Sequence, residues 1–193
     1  NALLRRWQTE ANRQPGSIQE VRKKKEEKMN GDPKLYALLE QLGIDFEYLE
    51  HPEAPTIEIA KQYWAGHQAQ HCKNLFFRNH KGNQHYLILL NCDQNMAIHD
   101  IEKQLHQGKL SFASEQRLMK YLGVRPGSVS LFTLVNDVNH EVILFVDSEL
   151  DKAEKVSFHP NDNTASLVIS NADMHKFIEN IGNTYQFLDL YKT

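Results

Sequence analysis

Lys73 and Asn74, inside the stretch HCKNLFFRNHKGNQHYLILLN from His71 to Asn91, are the residues whose placement most invites chemistry. They stand at the mouth of a strand whose continuation, Leu75 to Phe77, is apolar, with a second apolar strand close behind. A cation there either snorkels to water along its aliphatic stem or meets an anion. Cys72 beside it would be a nucleophile if Lys73 and nearby histidines lowered its pKa, although a buried inert thiol is the simpler reading. Among ten histidines, His67 and His71 have the i, i+4 spacing that sets two metal ligands on one helical face. The intervening QAQ lacks the glutamate of a metalloprotease helix, and no third ligand is indicated. Cys72 and Cys92 make neither a metal spacing nor a disulfide framework, so no metal or other cofactor is expected. A G-x-S-x-G elbow, a P-loop and a dinucleotide-binding glycine fingerprint are all missing, which leaves serine-hydrolase, NTPase and dehydrogenase readings without support. What remains is a polar set: Lys73, Asn74, the Pro126-Gly127-Ser128 turn, Asn136-Asp137, His159 and Asn163-Thr164. Each has a bland reading alone, as a surface lysine, a turn or a satisfied core histidine.

The elements that position this set are legible from period and punctuation. DPKLYALLEQLG reads as a helix with an Asp32 cap, Pro33 at the first position, Leu35, Leu38, Leu39 and Leu42 at helical spacing, and Gly43 as the stop. IDFEYLEH alternates as a half-exposed strand, and PTIEIAKQY, residues 55–63, reads as a short helix capped by Thr56. NLFFRN and HYLILLN read as strands joined through HKGNQ around Gly82. Helical patterns follow at Ile98 to His106 and Ser114 to Leu122, then strands at Val129 to Val135, Val142 to Val146, Lys155 to Phe158 and Ser166 to Ile169. The last helix, SNADMHKFIENIG, opens on a Ser170/Asp173 capping pair. Helices and strands mix without strict alternation, which predicts an α/β or α+β fold around one mixed sheet.

The chain has 193 residues, enough for one domain with a full core, and a net charge of −3 that gives no sign of a general nucleic-acid binder. Any RNA contact must therefore be local, with Lys103, Lys109, Arg117, Lys120 and Arg125 as candidates against a solvated helix face. No apolar run approaches transmembrane length, and the cysteine usage suits a reducing compartment, so a cytoplasmic protein without membrane or DNA partners is expected. Residues 1–30 are polar, break at Pro15-Gly16-Ser17 and carry the charge run RKKKEEK before Met29. Those residue types can all be encoded by purine-only codons, so the run could be a translated ribosome-binding region ahead of a native start at Met29. The alternatives are a basic tail that touches RNA and a solvated extension. A chain starting at Met29 is expected to keep its melting temperature and its activity; a substantial loss of either would make the extension part of the domain.

CKNLFFRN, LSFASEQRLMKYLGVRPGSVSLFTLVND, VILFVDSEL and VSFHPNDNTASLVIS, in that order, resemble the YbaK/aminoacyl-tRNA editing-domain family, nearest to its prolyl-tRNA deacylase (PrdX/ProX) branch. The likeness covers about Asp32 to Leu190 and implies a single domain over residues 31–193. Its expected sheet is mixed, mostly antiparallel, partly barrel-like and flanked by helices. It implies a trans-editing hydrolase that removes alanine from mischarged tRNA(Pro), with the tRNA acceptor end as substrate and prolyl-tRNA synthetase as a further partner. Lys73 would hold the terminal adenosine or polarise the acyl group, with Asn74 beside it. Gly127 and Ser128, with Val129 and Ser130, would offer backbone N–H groups to the acyl oxygen. Asn136, His159, Asn163 and Thr164 would complete the substrate pocket. One departure stands out: the family's usual PGSVTPF pattern reads PGSVSLF here, with Leu131 in place of proline, which puts loop rigidity in question. Deacylation of Cys- or Ser-tRNA, and a non-catalytic module that docks on tRNA or synthetase, are the rival functions.

Overall fold

The computed structural model describes residues 29–53, 68–94 and 97–191. The extension 1–28, the expected helix at 55–63 and His67 lie outside the described residues. Helix α1, Pro33–Leu42, forms as its ends dictate: the Asp32 carboxylate accepts from Lys34 N–H at 2.9 Å, and Gly43 leaves in a left-handed conformation at φ 62°. Strand β1, Glu47–Glu50, follows, then the hairpin of β2, Gln70–Asn79, and β3, His85–Asn91. Helix α2, Ile98–Leu105, strand β4, Leu110–Phe112, and helix α3, Glu115–Leu122, lead to a 3-10 helix at Leu131–Asn136. Strand β5, Val142–Asp147, runs into the short helix α4, Ser148–Asp151, and then come β6, Lys155–Phe158, and β7, Ala165–Ser170. Helix α5, Asn171–Ile181, and strand β8, Tyr185–Leu188, complete the order.

The strands form one sheet in the order β1-β7-β6-β2-β3-β5-β8, with β4 also paired to β2. Pairs β1/β7, β6/β7, β2/β3 and β2/β4 are antiparallel, while β2/β6, β3/β5 and β5/β8 are parallel. The mixed, mostly antiparallel sheet flanked by helices is as expected, but its path is open, ending on β1 and β8, so the barrel-like closure is not formed. Both faces are covered, and the alternation along β3 shows it: Leu87 and Leu89 join the core under α1, α3 and α5, whereas Tyr86, Ile88 and Leu90 join a second core with Ile101 and Leu105 of α2.

Three local differences from the sequence reading bear on the site. The run Val129 to Val135 is not a strand. Its core is the 3-10 helix, in which Ser130 Oγ accepts from Phe132 N–H at 3.1 Å and Thr133 Oγ1 donates to Ser130 O at 2.6 Å. Leu131, Phe132, Thr133 and Leu134 are all buried, and a short apolar run reads alike as buried strand or buried helix. Strand β2 begins at Gln70 rather than Asn74, so Lys73 and Asn74 both lie within it and project to opposite faces. Met29 packs on the main core, and Asn30 donates its N–H to Tyr48 Oη at 3.0 Å, so both residues belong with the folded domain rather than with the extension.

The β2–β3 hairpin is locked to α3 through His85, which is buried with its ring centroid 3.9 Å from that of Tyr121 and 5.6 Å from that of Phe76. Arg117 Nη1 donates to Gly82 O at 2.8 Å and lies 2.7 Å from His85 Nε2. A guanidinium can only donate, so Nε2 accepts and the ring is neutral. Burial foremost, then the Arg117 charge, pushes the His85 pKa down to about 4. Its unfolded value is about 6.5, so between about 4 and 6.5 the unfolded chain binds more protons than the native one. Stability is therefore complete above that window and falls as pH drops through it. Urea midpoints measured from pH 7 to pH 4 should fall, and less steeply in a His85→Gln variant, which cannot titrate.

Candidate functional site

A recess with a cavity volume of about 20 Å³, partly open to solvent, is lined by Cys72, Asn74, Ser157, Phe158, His159 and Ser166. Its origin is topological. Strand β2 pairs with β6 only at Gln70 and His71, and from Phe77 to Asn79 it pairs with β4 instead. Cys72 and Asn74 are thereby left to line a gap against Ser157 of β6 and Ser166 of β7.

Each wall has a defined polarity. Asn74 Nδ2 donates to Cys72 O at 3.3 Å, which fixes the amide, and its Oδ1 is buried without a hydrogen-bond partner among the described residues. His159 Nδ1 lies 2.8 Å from Ala165 O and must carry the proton, because a carbonyl can only accept. Burial holds the His159 pKa below its usual value, and nearby His51 acts in the same direction, while the Ala165 carbonyl and Asp162 oppose them. At neutral pH the ring is uncharged and its Nε2 is a lone-pair acceptor. His51 Nδ1 is likewise 2.9 Å from Pro52 O, and its Nε2 is 3.0 Å from Ser166 Oγ. The two imidazole centroids are 5.8 Å apart.

The loops expected at the site do converge beside the recess. Gly127, at φ 91°, sits where an added Cβ would meet Asn163 Nδ2 at 3.4 Å, so the PGS turn and the NDNT turn touch. Ser130 is buried and donates Oγ–H to His159 O at 2.7 Å, which makes it a brace for the histidine rather than a lining residue. This brace, with the cap on Phe132, holds the loop where Leu131 replaces the family's usual proline; Leu131 itself is buried at the first position of the 3-10 helix. Thr164 N–H donates to Asp162 Oδ1 at 2.8 Å, and Asn30 Nδ2 donates to Thr164 Oγ1 at 3.0 Å. Gly31 permits the close approach this needs: a Cβ there would lie 2.7 Å from Pro160 O.

Other expected residues are placed elsewhere. Lys73 faces away from the recess and donates Nζ–H to Gln94 O at 2.8 Å. Ser128 N–H closes a turn on Arg125 O at 3.2 Å and is already used as a donor, and half-buried Val129 packs on the main core. Asn136 clips α1 to the end of α3, donating to Asp32 Oδ2 and to Leu122 O at 3.1 Å each. Arg117, a candidate for an RNA-facing surface, is committed to the hairpin. Among the described residues no three histidine, cysteine or acidic side chains cluster to hold a metal ion, and no helix is long and apolar enough to cross a membrane.

Comparison with known proteins decides the class. The model of the aminoacyl-tRNA editing domain matches residues 51–177. The chain belongs to the aminoacyl-tRNA editing-domain family. The prolyl-tRNA editing protein ProX of Acetoanaerobium sticklandii is 37% identical over 162 residues, 84% of this chain and 99% of that protein. Prolyl-tRNA synthetase associated domain-containing protein 1 of Bos taurus is 33% identical over 157 residues, 77% of this chain and 91% of that protein. A crystal structure proposed to be a trans-editing enzyme for prolyl tRNA synthetase shares the fold with a TM-score of 0.61 at 20% identity, over 82% of this chain and 98% of that one. The editing domain is thus an aminoacyl-tRNA deacylase, and a mischarged tRNA is its substrate.

Ser157, Ser166 and His51 carry no site signal in the sequence, and Cys72 is weighed there only as a nucleophile. Cys72 shares a face of β2 with Asn74, a strand-period signal that becomes visible once the strand is known to start at Gln70. His51 and Ser166 are 115 residues apart and carried no such signal. Burial foremost, then Cys92, pushes the Cys72 thiol well above its ordinary value, so it is not a thiolate nucleophile. Cys72→Ala is expected to keep deacylation within about twofold of wild type; loss of activity in a folded Cys72→Ala protein would bring the thiol back as a catalyst.

Proposed function

We propose that this editing domain removes alanine from mischarged tRNA(Pro) in trans, in the cytoplasm, and that it meets prolyl-tRNA synthetase on the same tRNA. The observation that supports it best is the recess: its cavity volume of about 20 Å³ has room for little more than one water-sized group, and it is walled by small polar groups and a neutral histidine. A space of that size suits a methyl side chain and rejects a pyrrolidine ring on steric grounds, the editing half of a double sieve. The ProX relative, named a prolyl-tRNA editing protein, favours a prolyl tRNA as the nucleic-acid part of the substrate.

An aminoacyl ester is already activated, so the protein's task is to hold it and to orient a water. In this reading the neighbouring ribose hydroxyl of the terminal adenosine helps to place that water. The Gly127 turn, where no side chain blocks approach, lies against the acyl oxygen, and His159 contacts the aminoacyl group. Lys73, on the other face of β2, holds phosphate or sugar oxygens of the terminal adenosine. A panel of alanyl-, cysteinyl- and seryl-tRNAs tests the assignment, with fastest hydrolysis expected for alanyl-tRNA(Pro). Faster release of cysteine or serine would move the domain to another branch, and binding without hydrolysis would make it a docking module.

A further inference from the structure

Three polar groups of the recess, on Asn74, His159 and Ser166, share a property that its shape does not require: they accept hydrogen bonds there, while the Ser157 hydroxyl beside them can either donate or accept. Asn74 Oδ1 is buried with no partner among the described residues, and its own amide N–H group is turned away to Cys72 O. His159 has its one proton on Nδ1, held by Ala165 O, which leaves a lone pair on Nε2. Ser166 resolves in the same sense through His51. The Pro52 carbonyl requires the proton of His51 on Nδ1, so Nε2 is an acceptor and takes the Ser166 hydroxyl proton. Ser166 Oγ then has only lone pairs left to offer the recess. Among the described residues no cation lines it, and Lys73 is on the far face of β2.

We propose that this acceptor set, Asn74 Oδ1, Ser166 Oγ and His159 Nε2, is the seat of the substrate's α-ammonium group, with His51 as the positioning residue that keeps Ser166 in its accepting orientation. An ammonium has three N–H donors and no acceptor, which matches these three acceptors, and the Ser157 hydroxyl can turn a lone pair toward it as well. A buried orphan acceptor is costly, and a charge-assisted partner removes that cost only when substrate is bound. The assignment deepens the deacylase reading and rests on it: the recess recognises the free amino group of an aminoacyl ester, and selection against bulky side chains follows from the little space that remains.

The test compares alanyl-tRNA(Pro) with its deaminated counterpart, lactyl-tRNA(Pro), in which a hydroxyl replaces the ammonium at nearly constant shape. Each rate is divided by its own spontaneous rate. Wild-type enhancement is expected to be roughly ten- to a hundredfold lower for the lactyl ester. Asn74→Leu and Ser166→Ala should bring that ratio toward one by slowing alanyl release more than lactyl release, and His51→Phe should do the same without touching the substrate. Asn74→Asp, which keeps the acceptor and adds charge, should preserve or raise the ratio, and melting temperatures check each fold. Equal wild-type enhancement for both esters, or a ratio unchanged in all three variants that remove an acceptor or its support, would overturn the proposal. If alanyl-tRNA(Pro) itself is not hydrolysed, the substrate assignment fails separately, and the same comparison on whichever aminoacyl ester the domain does hydrolyse decides the ammonium seat.

Discussion

Lys73→Ala is expected to lower deacylation roughly ten- to a hundredfold, the scale of one charge-assisted hydrogen bond at about 1.5–3 kcal/mol, with little change in melting temperature. The second expectation follows from placement. Lys73 is half-buried, and its ammonium is bonded to a backbone carbonyl at 2.8 Å, that of Gln94 in the turn after β3. Its removal leaves the cores on both faces of the sheet intact. Lys73→Arg should restore little, because a planar fork cannot occupy the place of a compact ammonium. The effect should fall on tRNA binding as much as on turnover, since Lys73 faces away from the recess. Wild-type rates in Lys73→Ala would remove the anchor from this account, whereas a collapse of the melting temperature would make the residue structural.

Phe132→Ala carries the largest expected cost in stability, about 3–5 kcal/mol for a fully buried phenylalanine. The ring packs edge-on against Phe158 at 5.5 Å and Phe177 at 5.1 Å between centroids, joining the 3-10 helix to β6 and α5. Phe132 is also the residue whose N–H the Ser130 hydroxyl accepts, and Ser130 in turn holds the backbone of His159. Loss of the ring should therefore lower the urea midpoint and weaken activity below the melting transition. A cost under about 1 kcal/mol would contradict this packing.

Legibility in the sequence followed locality. Helices α1, α3 and α5 carry their own punctuation, with side-chain caps at Asp32, Ser114 and Ser170 and left-handed glycines at Gly43, Gly123 and Gly182, and all three form where those signals stand. Strand β3 could be recognised as apolar throughout because both of its faces are covered. The 3-10 helix was read as a strand, since the hydroxyl bonds of Ser130 and Thr133 that decide it are invisible to periodicity. Strands β4 and β8 are short edge pieces whose identity depends on partners remote in the chain. Of the residues that line the recess, Asn74 and His159 are the two that the family resemblance names. The pairing of His51 with Ser166 was not legible, because the β1/β7 register creates it, setting Leu49 opposite Ser166. Asn136 illustrates the converse. It stands beside a turn and reads as a pocket residue, yet its amide closes a clip between helix ends.

The measurement that bears most directly on the central claim is single-turnover deacylation of alanyl-tRNA(Pro) beside prolyl-tRNA(Pro) and alanyl-tRNA(Ala), each against spontaneous hydrolysis. A small recess predicts rapid release of alanine from tRNA(Pro) and, for proline on the same tRNA, a rate lower by at least about a hundredfold, since steric exclusion is the stronger half of a double sieve. Alanyl-tRNA(Ala) should also be spared, through contacts with the tRNA itself. Release of proline as fast as alanine, or no alanine release above the spontaneous rate, would contradict the account.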